Sequence, residues 1–229
     1  RKVRRKTGNL VPIAQPLFVF DSLTGISAVI FAALAIATLA ASPRRDRESS
    51  QVAGLACIAI GTLLAYASGN LLLFTIGWAI SVLPYWTGLL PNGPRLALGA
   101  STLALAVGAF VSQFGGPTGH FAAFTLLTLA ALLRIGIFPF HSWVVAGFEW
   151  SPLLPLGLLL NGHLGVFLLI RFAIPQFPDV AREALPFLSL LALLTALYTT
   201  VLALSQRMPA RVLALLSVSK GSFLLAGLE

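Results

Sequence analysis

Five ionisable side chains interrupt otherwise apolar stretches of this sequence: Asp21, Arg134, His163, Arg171 and Lys220. An imidazole with an ordinary pKa near 6.5 takes up and releases protons around neutrality, which suits His163 to a relay; a lone buried histidine also serves as plain packing, and the sequence leaves both readings open. An ammonium such as Lys220 is moved toward neutrality by desolvation, whereas the guanidinium of Arg134 keeps its proton. An Arg or Lys near the centre of a membrane-spanning helix costs about 2.5–3.5 kcal/mol on insertion scales, so it persists where it faces protein, water or a partner.

The neighbours of these groups sharpen the picture. Arg134 lies in Leu132-Leu133-Arg134-Ile135-Gly136-Ile137-Phe138-Pro139-Phe140-His141. Proline removes a backbone donor and crowds the carbonyl four residues earlier, so the helix is expected to break just past the cation, with Gly136 allowing close approach. Broken helices at mid-depth are where membrane transporters handle ions; the competing reading is that Arg134 snorkels to an interface. Lys220 has Ser217, Ser219 and Ser222 beside it, hydroxyls that could hold water around an ammonium group in a hydrated interior. Arg171 stands at a helix end and is expected at an interface. The scattered His120, His141 and His163 make no metal site, and neither a Gly-rich phosphate loop nor a nucleophile elbow occurs. No catalytic residue, metal site or cofactor is expected.

The elements that must carry these groups are long and apolar. A helix crosses the hydrocarbon core with about 20 apolar residues. Eight windows qualify or nearly so: 17–41, 51–68, 70–90, 96–114, 121–140, 152–172, 184–206 and 210–229, after a basic segment over 1–16. Short breakers separate them: Ser42-Pro43, Ser68-Gly69, Pro91-Asn92-Gly93-Pro94, Gly115-Gly116-Pro117, and Pro175 with Pro178. The runs are too long and too continuous for barrel strands, so the expectation is an all-α membrane protein, a polytopic helical bundle with one Pro-broken helix. Trp78, Trp86, Trp143 and Trp150 read as span-end and packing aromatics.

Composition excludes the soluble classes. Of 229 residues, 58% are hydrophobic and 10% charged, against roughly 25% charged in a soluble domain. The net charge of +8 does not make a nucleic-acid stripe: five of fifteen cations fall within the first six residues and six in short clusters between apolar runs. Cys57 is the single cysteine, so no internal disulfide or thiolate cluster forms. Alternating crossings put Arg44, Arg45, Arg47, Arg95, Arg207 and Arg211 on one side, which is expected to be cytoplasmic, while Arg171 and Arg182 face the other way. The basic stretch from Arg1 to Lys6 runs against that assignment. A start at Arg1 and an apolar end at Leu224 to Glu229 suggest an excerpt of a longer chain, and the composition a bacterial inner membrane.

The order of motifs resembles the antiporter-like, proton-translocating membrane subunits of respiratory complex I, membrane-bound hydrogenases, multisubunit sodium/proton antiporters and inorganic-carbon uptake systems. The matching pieces are Phe20-Asp21-Ser22-Leu23, Gly69-Asn70-Leu71-Leu72-Leu73-Phe74 leading to Gly77-Trp78, Arg134 through Trp143, Gly165 through Arg171, and Arg211 through Lys220. The resemblance implies part of an inverted-repeat antiporter-like fold, with a broken helix lining a half-channel and buried charges running across the membrane. It places Arg134 at a lysine site, His163 at the next axial site and Lys220 on the following Ser-rich helix, with Asp21, His141, Glu149, Ser217 and Ser219 in support. It implies membrane partner subunits within the bilayer, and in one open reading a soluble partner that does the chemistry.

Two departures stand out. Ala79 occupies the glutamate position after Gly77-Trp78, and Arg134 replaces a lysine. Three readings follow from the sequence: a proton-moving subunit, a structural subunit that retains the fold without the path, and the membrane component of a carbon-uptake or hydrogenase-like assembly.

Overall fold

A computed structural model describes residues 16–41, 49–86, 92–114, 116–150 and 163–228. Apolar runs in lipid must satisfy their own backbone, and helices do so within one segment. The described helices are α1 (Ser22–Ala41), α2 (Ser49–Ala67), α3 (Leu71–Trp86), α4 (Asn92–Val111), α5 (Pro117–Ile135), α6 (Ser142–Trp150), α7 (His163–Gln176), α8 (Pro178–Leu204) and α9 (Pro209–Ala226). Six of them, α1, α2, α4, α5, α8 and α9, are long and apolar enough to cross a membrane. The chain is all-α and polytopic. Of the expected windows, 70–90 and 152–172 lie partly outside the described residues, and the basic segment up to residue 15, the connection 42–48 and Glu229 lie outside them.

Local chemistry explains where the helices start and stop. Residues 16–21 are extended: Val19 donates its N–H to the Ala67 carbonyl and Gly69 donates to Leu17, so the chain enters along the α2–α3 corner. The helix begins only at Ser22 because the Asp21 carboxylate accepts the Thr24 N–H at 2.9 Å, an N-terminal cap inside the apolar window 17–41. Pro117, Pro178 and Pro209 open α5, α8 and α9 at positions where a missing N–H costs nothing. Pro178, a breaker in the sequence, is therefore a starter here, separated from the end of α7 by Phe177 alone.

α5 stops at Ile135, immediately past Arg134. Gly136 adopts φ 81°, a left-handed geometry that favours glycine, and the N–H groups of Gly136 and Ile137 both turn back to Leu132. The Leu133 carbonyl, freed by the break, accepts the Trp143 indole N–H at 2.9 Å. The chain then resumes as α6, a short helix that the hydropathy windows did not separate.

Three antiparallel hairpins, α2–α3, α4–α5 and α8–α9, supply most of the packing, with α6 laid against α9 and α7 against α5. The α2–α3 crossing is the closest: a Cβ on Gly77 would lie 2.6 Å from the Ala65 nitrogen, and one on Gly61 2.5 Å from the Ser81 nitrogen. Small residues at such crossings let membrane helices approach without an apolar driving force between them. The fully buried side chains include Trp78, Tyr66, Tyr85 and Phe74. Large apolar residues of α8, among them Phe187, Leu190, Leu194 and Leu197, point outward as a bilayer-facing stripe.

Candidate functional site

Arg134 is 3% exposed and sits where α3 and α5 meet. Its guanidinium donates to the Ser81 hydroxyl at 2.8 Å and lies 4.8 Å from the centre of the Trp78 ring. Ser81 donates its own proton to the Trp78 carbonyl at 2.6 Å, which turns an oxygen lone pair toward the cation. The electron-rich indole face adds a cation–π contact in a desolvated setting. Snorkelling is thus excluded for Arg134, whose head group stays in the protein interior. Tyr66 and Tyr85, both buried, belong to the same interior. The sequence reading treated Trp78 as a generic aromatic and missed Tyr66, Tyr85 and Ser81; the recurrence of aromatic and hydroxyl residues at helical spacing on α2 and α3 was the signal.

His163, at the start of the described part of α7, lines a groove of about 260 Å³ with Leu23 and Ser27 of α1, Tyr66 of α2, Phe167 of α7 and Leu224 of α9. Tyr66 packs its ring 4.9 Å from Phe167 and lines the same groove as His163. Lys220 is exposed on the outer face of α9, between Leu216 and Phe223. The structure therefore corrects the expectation of a serine-lined interior position for Lys220. The Ser219 hydroxyl is shared with Thr200 of α8 at 2.8 Å, and Ser222 donates to the Val218 carbonyl, so both serve helix packing; Ser217 is half-buried on α9.

The two supporting acids have basic partners that the sequence did not reveal. Asp21 pairs with Arg171 at one end of the bundle, and Glu149 pairs with Arg211 at the other. Each pair joins residues that alternate crossings put on the same side. Arg171 reaches Asp21 from a π-helical turn, Leu169–Ala173. The Thr24 backbone N–H and the Arg171 guanidinium hold the Asp21 carboxyl at about 2, well below its usual range. His141 follows the break, packs 5.6 Å from the Tyr198 ring, and lines a cavity of about 270 Å³ with Ser142, Gln206 and Arg211. Among the described residues its Nδ1 is buried without a hydrogen-bond partner. The remaining expected feature, the Pro139 break, contains a cis Phe138–Pro139 bond.

Arg134 is thus a buried cation beside an interrupted helix, in an all-α apolar bundle with six helices long enough to cross a membrane. Residues 102–229 match the family model described as NADH:quinone oxidoreductase/Mrp antiporter, TM, and the chain belongs to that family. Among curated proteins it is similar to NAD(P)H-quinone oxidoreductase chain 4 of Synechococcus sp. (strain WH7803), 27% identical over 198 residues, covering 73% of this chain and 36% of that one. It is 31% identical over 182 residues to NAD(P)H-quinone oxidoreductase chain 4 3 of Picosynechococcus sp., covering 76% and 31%. NADH-ubiquinone oxidoreductase chain 4 of Acanthamoeba castellanii is 35% identical over 103 residues, covering 43% and 20%. The chain spans about a third of the length of the first two. It is an integral membrane protein.

Proposed function

We propose that this chain is the proton-moving part of a membrane subunit in a multisubunit, NAD(P)H-quinone oxidoreductase-like complex. His163 and Lys220 exchange protons with water, and Arg134 is a fixed positive element that biases their protonation. The observation that carries the reading is the position of His163 in a groove that Tyr66 also lines, with Arg134 buried against Trp78 and Ser81 beside the interrupted helix. An imidazole reached from a groove can take up and release a proton, the step a relay repeats. Arg134, which does not release its proton, contributes field and not transfer.

Family membership and the names of the relatives support a setting among other membrane subunits, with the basic side cytoplasmic in a bacterial membrane. The reading is tested by proton flux in proteoliposomes holding the complete complex. His163→Ala and Lys220→Ala are each expected to lower flux at least about tenfold, in the range that removing a positioned proton-transfer group costs. Wild-type flux in both variants, with assembly intact, removes the relay.

A further inference from the structure

At the membrane face where α9 begins, His141, Ser142, Gln206 and Arg211 line one cavity of about 270 Å³, with Val145 and Leu202 as its apolar floor. An imidazole, a hydroxyl, a carboxamide and a guanidinium thus share a single space. Each can donate a hydrogen bond, and the guanidinium brings a permanent positive charge. Glu149 grips Arg211 through Nε but is not among the described residues that line the cavity. A guanidinium has two further nitrogens, so one partner at Nε does not exhaust it. The charged residues described at this face are Arg95, Arg207 and Arg211 against Glu149, whereas the opposite face carries Asp21, Asp179 and Glu183 against Arg171 and Arg182. An anion is drawn to the first of these faces.

Beside the cavity the surface turns apolar in a definite order. His141 packs 5.9 Å from the Phe138 ring and 5.6 Å from the Tyr198 ring, and these rings are 48% and 46% exposed. Leu194, Tyr198 and Leu202 follow one another at intervals of four residues, so they share one face of α8. α8 ends at Leu204, which places Tyr198 about 9 Å and Leu194 about 15 Å along the helix from that end. The second distance is that of one leaflet of hydrocarbon. A cation among polar donors at the rim, then aromatic rings, then aliphatic side chains to mid-depth match the order of phosphate, glycerol ester and acyl chain in a phospholipid. Basic pockets between helices at a membrane face recognise anionic head groups. A choline head group brings a cation of its own to the positive face and is matched less well.

We infer that this cavity and the adjoining strip of α8 hold one anionic glycerophospholipid. Its phosphate is taken by Arg211 with Ser142 and Gln206, and an acyl chain lies over Phe138, Tyr198 and Leu194. The site goes beyond proton movement and stands on the geometry around Arg211 whether or not His163 and Lys220 form a relay. Its occupant ties α6, α8 and α9 together beside the helix break.

The test uses the full-length protein in its complex, held in nanodiscs of phosphatidylcholine into which phosphatidylglycerol with a diazirine in its acyl chain is titrated. Photolysis and peptide mass spectrometry are expected to find label on residues 138–145 and 194–206. A phosphatidylcholine with the same diazirine is expected to label them about fivefold less, the share that one interfacial cation gives. Arg211→Gln is expected to raise the half-saturating fraction of phosphatidylglycerol about tenfold, as loss of a hydrogen bond to a charge does. Glu149→Gln breaks the same ion pair but spares the cation, and is expected to keep wild-type labelling. Sodium phosphate, added at constant ionic strength, is expected to leave the labelling unchanged; displacement by it makes the cavity a site for free phosphate and overturns the lipid. Equal labelling by the two lipids overturns the site. Equal weakening in Arg211→Gln and Glu149→Gln does so too, because it reduces the pair to packing. Absence of label on the strip means that protein covers it, and is equally fatal. Should Arg211→Gln fail to assemble, Gln206→Ala is expected to raise half-saturation about threefold, and no change there is the overturning result.

Discussion

Asp21 does two jobs with one carboxylate: it caps α1 through the Thr24 N–H and it pairs with Arg171. The two are separable. Asp21→Asn keeps a capping oxygen and loses the charge; with the side chain 37% exposed, this is expected to cost under about 1 kcal/mol. Asp21→Ala also loses the cap and should cost about 1 kcal/mol more. Thermal midpoints of the two variants check the order. The pH dependence has a definite sign. Because the folded carboxyl is depressed to about 2 from 3.8, its contribution is complete above pH 3.8 and is lost as pH falls toward 2. The difference between wild type and Asp21→Asn is expected to stay constant from pH 7 to pH 5 and to shrink on the acid side of pH 3.8. The acid itself was legible in the sequence, but its partner 150 positions away was not, because only the folded topology brings α7 back to the entrance of α1.

At the scale of elements, the interruption after Arg134 was readable from Gly136 and Pro139, since both act through local backbone chemistry. What followed was less so. α6 is too short for a hydropathy window, and the Trp143 indole N–H that donates to the freed carbonyl comes from beyond the break. The burial of Arg134 depends on the α2–α3 crossing, where two glycines from different helices must coincide. No periodicity announces such a coincidence. Two substitutions probe these joints. Gly136→Ala forces a side chain into left-handed geometry with its Cβ 2.6 Å from Val144, and is expected to destabilise by about 1–3 kcal/mol. Gly77→Ala pushes α2 from α3, should cost a comparable amount of about 1–3 kcal/mol through overpacking, and should loosen the Ser81 contact to Arg134. Lowered thermal midpoints, with helix content retained in circular dichroism, are the expected readout for both.

For the whole molecule, the two ion pairs give the bundle one polar latch at each membrane face: Asp21–Arg171 at the end where α1 begins, Glu149–Arg211 at the end where α9 begins. The apolar stripe of α8 lies between those levels. An orientation with Arg95, Arg207 and Arg211 cytoplasmic makes a labelling prediction. In a Cys57→Ser background, Ser205→Cys should react with a membrane-impermeant thiol reagent only in inside-out vesicles. Gln113→Cys should react only in intact cells, and the opposite pattern reverses the orientation. The wide turn at Leu169–Ala173 bears on this arrangement too. A π-type turn holds one residue more than its α-helical counterpart, and each residue rotates a helix by about 100°. Excising a single residue there would tidy the backbone yet swing Arg171 and His163 out of phase with each other, so the latch at the rim and the imidazole in the membrane's depth are geared together through one surplus amino acid.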